Sequence, residues 1–339
     1  MGCGAETDAL PTCDLSGPHV VVATTDFRVG ALAAVTPDGC VADRLSSTSG
    51  DAVVRATDER LWVLNRTGGD ALLAYPHGDY QTPELELGAY RHDNPHDLVR
   101  VGDQIFLSLY DRAELVVLDA ADGAEVGRID LSDHADADGV PEADALLVHD
   151  GMVYVALQRL DRNADWAPSG PGALLRIDPV SLGIDAEWET DENPKMVSFG
   201  LDIAVMSGSY FEPDGLMEVL DTHMTGPDAW RPVFTEADVG LDLGGGAAGV
   251  ALGTSFDVGG DSVIGCVVAD TFTEAHRGPS WFAHAVDGGT LGMDVLVAAR
   301  EGFAGDGGGG LFSVEPSGCG VTEVSLPTLL EPFSLAVVP

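Results

Sequence analysis

The stretch Asn94–Asp130, NPHDLVRVGDQIFLSLYDRAELVVLDAADGAEVGRID, indicates the fold class of this chain. It reads as four short runs rich in Val, Ile and Leu, separated by turn residues: His96–Val101, Gln104–Leu109, Leu115–Asp119 and Ala124–Ile129. Each run is too short for a typical helix and is typical of a strand. A four-stranded sheet with two apolar faces needs like neighbours on both sides, which is the arrangement of β-propeller blades.

The same pattern recurs along the chain. Copies of the second strand, mostly 40 to 50 residues apart, begin at seven positions: Val20, Arg60, Gln104, Met152, Asp202, Ser262 and Asp294. A copy of the third strand follows each of them. The repeats predict an all-β, seven-bladed propeller. Because the interval from Ser262 to Asp294 is too short for four strands, six blades plus an irregular one is the alternative.

The two ends of the chain predict that the ring closes. Residues 20–45 supply strands two to four of a blade without a first strand, whereas PFSLAVVP, at residues 332–339, is a first strand with nothing after it. Pairing of the N-terminal strands with this C-terminal strand would complete one blade and remove the open edges. We therefore predict a flexible tail or tether at residues 1–18 and a single propeller domain at residues 19–339.

The stretch that begins NPHDLVRVGDQIFLSLYD resembles the YVTN-type repeat of bacterial and archaeal envelope β-propellers, found in surface layers and the periplasm. The resemblance covers most of the chain from Val20 onward. It implies an extracytoplasmic seven-bladed propeller, often tethered to the cell envelope. Such repeats specify architecture far better than activity, because one fold hosts many functions.

Charge restricts the classes of partner. The chain of 339 residues has a net charge of −40, from 56 acidic and 16 basic residues, and Lys195 is its single lysine. Such a field repels phosphates, so nucleic acid is excluded as a partner. No run of about 18 apolar residues is present, so no membrane-spanning helix is predicted. We expect a monomer with a solvated acidic surface.

The first cysteine suggests an anchor. Gly2-Cys3 followed by a polar tail resembles the end of a bacterial lipobox, which predicts that Cys3 is lipidated and that contact with the membrane is through this lipid alone. The expected location is therefore extracytoplasmic and membrane-anchored, in the periplasm or on the cell surface. A chance cysteine in a disordered tail is the alternative.

The other cysteines predict one disulfide. Cys40 and Cys319 occupy the same turn in neighbouring blades, and Cys13 lies in the incoming tail. We expect Cys13 to pair with one of these two in an oxidising compartment, although the sequence leaves the choice open. Cys266 lies in an apolar strand and is predicted to be a buried free thiol.

The loops that precede first strands and those that join strands two and three open on the same side of a propeller, here called the loop face. The motifs NPHD, PEAD and NPKM, which precede three first strands, can be aligned by their prolines. This alignment places His96, Glu142 and Lys195 at one equivalent position, at the mouth of the central channel, and Asp97 follows His96. Converging ionisable groups are what a ligand site requires. Structural or solvated side chains are the alternative interpretation.

Further candidates lie on the loops after second strands. Arg112 and Arg159 belong to a set of arginines in these loops, and guanidinium groups bind carboxylates and phosphates. Nearby aspartates favour turn-stabilising ion pairs instead. Trp166, in the longest of these loops, is predicted to face solvent, where an indole ring can stack on a sugar or another planar ligand.

An acidic loop spans residues 130–144. Asp133, Asp136 and Asp138 offer the oxygen ligands that Ca²⁺ or another divalent cation prefers, although a solvated turn is the favoured interpretation. The chain contains no GxSxG, P-loop, HExxH or credible GxGxxG motif.

Together these features predict a non-enzymatic envelope lipoprotein that binds a small molecule, a glycan or an envelope protein on the loop face. The alternative is a metal-dependent lactonase-like or hydrolase-like propeller in which His96 and the acidic loops hold a cation that activates water. A purely structural interaction module is the third hypothesis.

Overall fold

A computed structural model of the chain describes residues 13–66, 69, 71–90, 92–199, 202–208, 214–255, 261–279, 281–288, 294–300 and 310–339. Cys3, and with it the predicted lipid anchor, lies outside the described residues. Among the helices of the described part, none has the length and apolar character needed to cross a membrane.

Seven four-stranded antiparallel sheets form the blades of a propeller. Blade 1 contains β1 (His19–Thr25), β2 (Gly30–Val35), β3 (Val41–Thr48) and, from the other end of the chain, β30 (Glu331–Val338). Blade 2 contains β4 (Ala52–Ala56), β5 (Arg60–Asn65), β6 (Ala71–Pro76) and β7 (Leu85–Leu87). Blade 3 contains β8 (Pro95–Val101), β9 (Gln104–Leu109), β10 (Glu114–Asp119) and β11 (Glu125–Asp130).

Blade 4 contains β12 (Ala143–His149), β13 (Met152–Leu157), β16 (Ala173–Ile177) and β17 (Ile184–Glu189), with an inserted hairpin of β14 (Leu160–Asp161) and β15 (Ala167–Pro168). Blade 5 contains β18 (Lys195–Phe199), β19 (Asp202–Ser207), β20 (Leu216–Leu220) and β21 (Trp230–Thr235). Blade 6 contains β22 (Leu241–Ala247), β23 (Val250–Ser255), β24 (Ser262–Val268) and β25 (Thr271–Gly278). Blade 7 contains β26 (Trp281–Asp287), β27 (Val295–Arg300), β28 (Gly310–Glu315) and β29 (Gly320–Val324).

The helical elements are short. The helix α1 (Glu236–Val239) leads into the inner strand of blade 6, and three 3₁₀ turns lie in loops: Ser132–His134, Arg162–Ala164 and Pro227–Ala229.

The predicted fold class and ring closure are confirmed. Strand β1 pairs with β30 along its whole length, from His19 opposite Val338 to Thr25 opposite Glu331. This pairing joins the two ends of the chain within blade 1. Seven regular blades are present, so the alternative of six blades and an irregular one is not observed.

Two strands were assigned wrongly, one in blade 6 and one in blade 7. The segment beginning at Ser262, predicted as a second strand, is the third strand β24, and the segment from Trp281, predicted as a third strand, is the inner strand β26. The sequence signal failed because the inner strand β22 has three consecutive glycines, which weaken strand propensity. The short interval to Asp294 therefore runs from a third strand to a second strand.

Both faces of each blade are buried, because alternate residues of one strand pack on opposite neighbours. In β9, Ile105 and Leu107 pack in the cluster shared with blade 2, whereas Phe106 packs in the cluster shared with blade 4. The two apolar faces expected from the sequence therefore form separate cores between successive blades.

The first strand of each blade is its inner strand, next to the channel. Backbone amides of some inner strands donate hydrogen bonds to polar side chains of the preceding blade. The Leu146 amide of blade 4 donates to Asp97 Oδ2 of blade 3 at 2.9 Å. The Val54 amide of blade 2 donates to Ser334 Oγ at 3.2 Å, and the Leu335 amide of blade 1 donates to His284 Nδ1 of blade 7 at 3.1 Å. These bonds connect blades around the channel and satisfy amides that no strand partner reaches.

Two disulfides join parts of the ring. Cys13 bonds Cys40, which is one of the two predicted alternatives and attaches the N-terminal segment to blade 1. Cys266 bonds Cys319, so the prediction of a free thiol at Cys266 was wrong. The physical reason is position: β24 is a third strand, close to the turn of blade 7 that carries Cys319. Two disulfides are typical of a protein that folds in an extracytoplasmic, oxidising compartment.

Candidate functional site

The loop face gathers polar side chains from blades 2 to 5, and the strand register determines which of them are equivalent. Pro95 pairs with Leu109 and Ala143 pairs with Leu157, each the last residue of its second strand. His96 and Asp144 therefore occupy equivalent positions in their blades. Each directly follows the first paired residue of its strand, where the register of β8 and of β12 shifts. The alignment by prolines, which equated His96 with Glu142, was wrong because the proline of blade 4 lies two residues earlier relative to the strand.

A cluster of charged side chains lies where the inner strands begin. His96 Nε2 is 3.0 Å from Asp144 Oδ1 and 3.0 Å from Arg66 Nη1. Arg66 in turn donates to Asp51 Oδ1 at 2.5 Å. Because a guanidinium only donates and a carboxylate only accepts, His96 Nε2 can hydrogen-bond to one of its two neighbours in a given tautomer.

The charge on Asp144 is stabilised by its neighbours. Burial opposes its ionisation, but the hydrogen bond from His96 and the positive charges of Arg66 and Lys195 outweigh burial and lower the pKa of Asp144. The positive charge of Lys195, the first residue of the inner strand β18, acts in the same direction on this carboxylate. Of the predicted set, the structure places His96 in direct contact with Asp144.

Buried polar atoms without partners are concentrated on this face. Eight buried side-chain nitrogen or oxygen atoms of the described residues have no hydrogen-bond partner, and six belong to loop-face residues of blades 2 to 5: Ser49, Arg66, Asn94, His96, Asp136 and Asn193. Asn193 is only 3% exposed. Native proteins pair nearly all buried polar groups, so such a concentration indicates groups that are paired by water or by a ligand.

Glu142 is fully buried beside this cluster and is held by two donors. The Leu160 amide donates to its Oε2 at 3.0 Å, and Arg162 Nε donates to its Oε1 at 3.2 Å. Burial, with a contribution from the charge of Asp138, nevertheless raises the pKa of Glu142 to about 8. Glu142 therefore anchors the long loop of blade 4, with both oxygens engaged inside the protein.

An aromatic stack runs outward from the cluster. The His96 and Tyr110 rings are stacked with centroids 4.4 Å apart, and the Tyr110 and Trp166 rings follow at 6.1 Å. The Arg162 guanidinium lies 5.1 Å from the centroid of Trp166 and donates to the Tyr110 carbonyl at 2.9 Å. Trp166 is 45% exposed, so the stack begins at the channel and ends at a solvent-accessible indole.

The local structure positions this indole. In the hairpin of β14 and β15, the Asp161 carbonyl accepts a hydrogen bond from the Trp166 amide at 3.0 Å. Trp166 has a φ of 63°, in the left-handed region that bulky residues rarely adopt. Such strain persists only where surrounding contacts enforce it and is frequent at binding sites.

Other predicted residues have structural partners. Asp97 accepts from Arg55 Nε at 2.6 Å and from two inner-strand amides, and it is 4% exposed. Arg112 pairs with Asp93 at 2.6 Å on the surface. Arg159 donates to the His134 carbonyl at 3.0 Å and so joins the long loop to the acidic loop. These contacts hold the loops that carry the aromatic stack.

The acidic loop is organised by its own backbone. Asp136 accepts from the Asp138 amide at 3.0 Å, and Asp138 accepts from the Val140 and Arg162 amides at 2.9 and 3.0 Å. Asp133 is exposed. Within the described part of the chain, no three His, Cys, Asp or Glu side chains are grouped where they could hold a metal ion.

Sequence reasoning missed Tyr110 and Asp144 as members of the site, whereas Arg66 and Arg162 belong to the predicted set of loop-face arginines without having been assigned to His96 or Trp166. Tyr110 directly follows a second strand, which is a loop-face position, so its location was accessible from the repeat. The equivalence of Asp144 and His96 was hidden by the alignment on prolines, although each lies 8 residues before the start of its second strand, at Gln104 and Met152.

Comparisons with known proteins identify the architecture. The chain matches no protein-family model and no curated protein sequence. A protein from Lactobacillus plantarum superposes with a TM-score of 0.64 at 12% identity, over 95% of this chain and 99% of that one. A candidate 6-phosphogluconolactonase from Bacteroides fragilis gives 0.63 at 11% identity, over 97% and 100%.

Apo AztD from Citrobacter koseri gives a TM-score of 0.52 at 12% identity, over 95% of this chain and 97% of that one. At such identities the similarity is one of fold alone. The chain is a seven-bladed β-propeller like these proteins, and the resemblance to YVTN-type repeats has no support beyond this architecture. Its function has to be inferred from its own loop face.

Proposed function

We propose that this protein is a non-catalytic binding module that holds a neutral carbohydrate on the loop face of blades 3 and 4. The aromatic stack that ends at exposed Trp166, beside buried polar atoms without partners, is the observation that carries this proposal. A sugar ring has an apolar face that stacks on an indole and hydroxyl groups that hydrogen-bond to nearby polar side chains.

The charges of the site favour a neutral ligand. Asp144, next to His96, and Asp111, paired with Arg162 at 2.8 Å, place carboxylate oxygens at the inner and outer parts of the stack. Carboxylates accept hydrogen bonds from hydroxyl groups but repel a second anion. The net charge of −40 also repels any acidic polymer, including an acidic glycan.

The proposed setting is the cell envelope. Two disulfides are consistent with an oxidising compartment. We add the lipid anchor at Cys3 as part of the proposal. Intact mass of the protein from its native host tests it: a mature chain that begins with a lipid-modified Cys3 supports the anchor, and a chain that begins with unmodified Met1 contradicts it.

A glycan array tests the ligand class. Wild-type protein is expected to bind neutral glycans in preference to sialylated or sulfated ones. Trp166→Ala should weaken binding about tenfold or more, because loss of a stacked, partly buried aromatic ring costs about 1.5 kcal/mol. The matched control is Phe27→Ala, which removes another exposed aromatic from the loop face, in blade 1. Selective binding of acidic glycans, or equal binding by both variants, contradicts the proposal.

A further inference from the structure

A cavity lies at the end of the channel opposite the loop face. It has a volume of about 650 Å³ and is lined by the ends of the inner strands β4, β8 and β12 and by the turns after them, Thr57–Asp58 and Gly102–Asp103. Those turns face away from the loops that carry Trp166, because successive strands of a blade run antiparallel. The cavity is therefore separate from the carbohydrate site, and its size is in the range of small-molecule pockets.

Two guanidinium groups in this cavity are fixed by the protein. Arg55 donates through Nε to Asp97 at 2.6 Å and through Nη1 to the Val54 carbonyl at 2.9 Å. Arg100 donates through Nε to the Gly102 carbonyl at 2.7 Å, and its Nη1 lies 3.5 Å from the exposed carboxylate of Glu59. Neither Nη2 group has a hydrogen-bond acceptor among the described residues. An oriented guanidinium with an unused Nη2 donor can still bind a carboxylate through a charge-assisted hydrogen bond.

The two guanidiniums are partly buried, and the acidic residues of the turns at the rim are exposed. The side chains of Arg55 and Arg100 are 28% and 18% exposed. Asp58 and Asp103 are exposed residues of the turns at the rim. Because these rim carboxylates and that of Glu59 would repel a second negative charge, the cavity favours a ligand with a single carboxylate.

The remaining lining is apolar. Val99, Leu147 and Val148 border the cavity, and Val148 is 38% exposed. Contact with a hydrocarbon body would remove apolar surface of both ligand and protein from water, which is favourable by roughly 25 cal/mol per Å².

We propose that this cavity binds a small monocarboxylate with an apolar body, its carboxylate held between Arg55 and Arg100 and its hydrocarbon chain against Val99 and Leu147. This site is independent of the carbohydrate site, and neither proposal requires the other.

Calorimetric titration with octanoate tests the inference. The full-length protein is expected to bind octanoate with one-to-one stoichiometry, and octan-1-ol, which lacks the carboxylate, should bind at least tenfold more weakly. Arg100→Gln should weaken octanoate binding at least tenfold, since it removes one guanidinium without touching the Asp97 network. Val148→Trp provides a second variant, because it places an indole in the cavity from an exposed position and should also reduce binding.

Trp166→Ala is the matched control and should bind octanoate as the wild type does. The proposal is overturned if wild-type protein shows no saturable binding at millimolar octanoate, or if octan-1-ol binds equally well. It is also overturned if Arg100→Gln, folded by circular dichroism, binds octanoate with unchanged affinity.

Discussion

The stability of the ring is predicted to depend strongly on the buried carboxylate of Asp97. Its two oxygens accept from Arg55 of blade 2, from the Leu98 amide of its own strand and from the Leu146 amide of blade 4. Removing this group by Asp97→Ala leaves two buried amides and the Nε of Arg55 without acceptors. Breaking a buried ion pair on one side costs about 3–5 kcal/mol, so we expect a loss of that size in the free energy of unfolding.

Urea denaturation followed by circular dichroism measures this loss, provided that the slope with urea is unchanged. The matched control is Glu125→Ala, which removes a partner of Arg128 from an ion pair whose side chains are 45% and 40% exposed. That change should cost less than about 1 kcal/mol, because exposed ion pairs contribute little. If the free energy of unfolding of Asp97→Ala lies within about 1 kcal/mol of that of the wild type, the hydrogen bonds of Asp97 to blades 2, 3 and 4 do not stabilise the ring.

Three further predictions concern titration and covalent links. The pKa of Glu142 is raised by burial to about 8, so the folded state holds a proton that the unfolded state releases above about pH 4.5, and stability should fall as pH rises through this window. Urea titrations of Glu142→Gln should lack that decline, and a decline that persists would refute the assignment. Burial lowers the pKa of His284 to about 3 from 6.5, so stability should be lost as pH falls between these values, more steeply than in a His284→Gln variant. Replacing Cys266 and Cys319 together by Ala opens a loop closed over 53 residues and should cost up to about 4 kcal/mol of stability, measured by urea denaturation under non-reducing conditions; an unchanged midpoint would contradict the bond.

Much of the fold was predictable because each blade repeats one local pattern. The stretch from Asn94 contains all four strands of blade 3, and their observed bounds lie within one or two residues of those predicted. The strand roles in blade 6 were not predictable in this way. Glycines in Leu241–Ala247 hide an inner strand whose stability comes from its neighbours in the ring rather than from its own residues.

The candidate site was predictable only in outline. Its place on the loop face followed from topology, and His96, Lys195 and Trp166 were identified by residue type. Their arrangement depends on the position of the proline: Pro95 is paired in β8, whereas Pro141 lies two residues before Ala143, the equivalent residue of β12, so His96 is equivalent to Asp144 rather than to Glu142. This shift is visible in the residue spacing, because Pro95 precedes Gln104 by 9 residues and Pro141 precedes Met152 by 11, but an alignment on the prolines ignores it.

The role of Glu142 illustrates the same difficulty. By sequence it is an acidic loop residue in a highly acidic protein, for which solvent exposure is the default expectation. In the fold it is buried beneath the long loop and bonded to the Leu160 amide and to Arg162. Only the three-dimensional path of the loop over blade 4 reveals that it positions the aromatic stack.

A crystal structure of the protein with the neutral glycan that binds most strongly on the array would test the central claim most directly. The account predicts a sugar ring stacked on Trp166, with hydroxyl groups within hydrogen-bonding distance of Asp144 or His96. A glycan bound at another face of the propeller, with the Trp166 indole free of ligand, would contradict it.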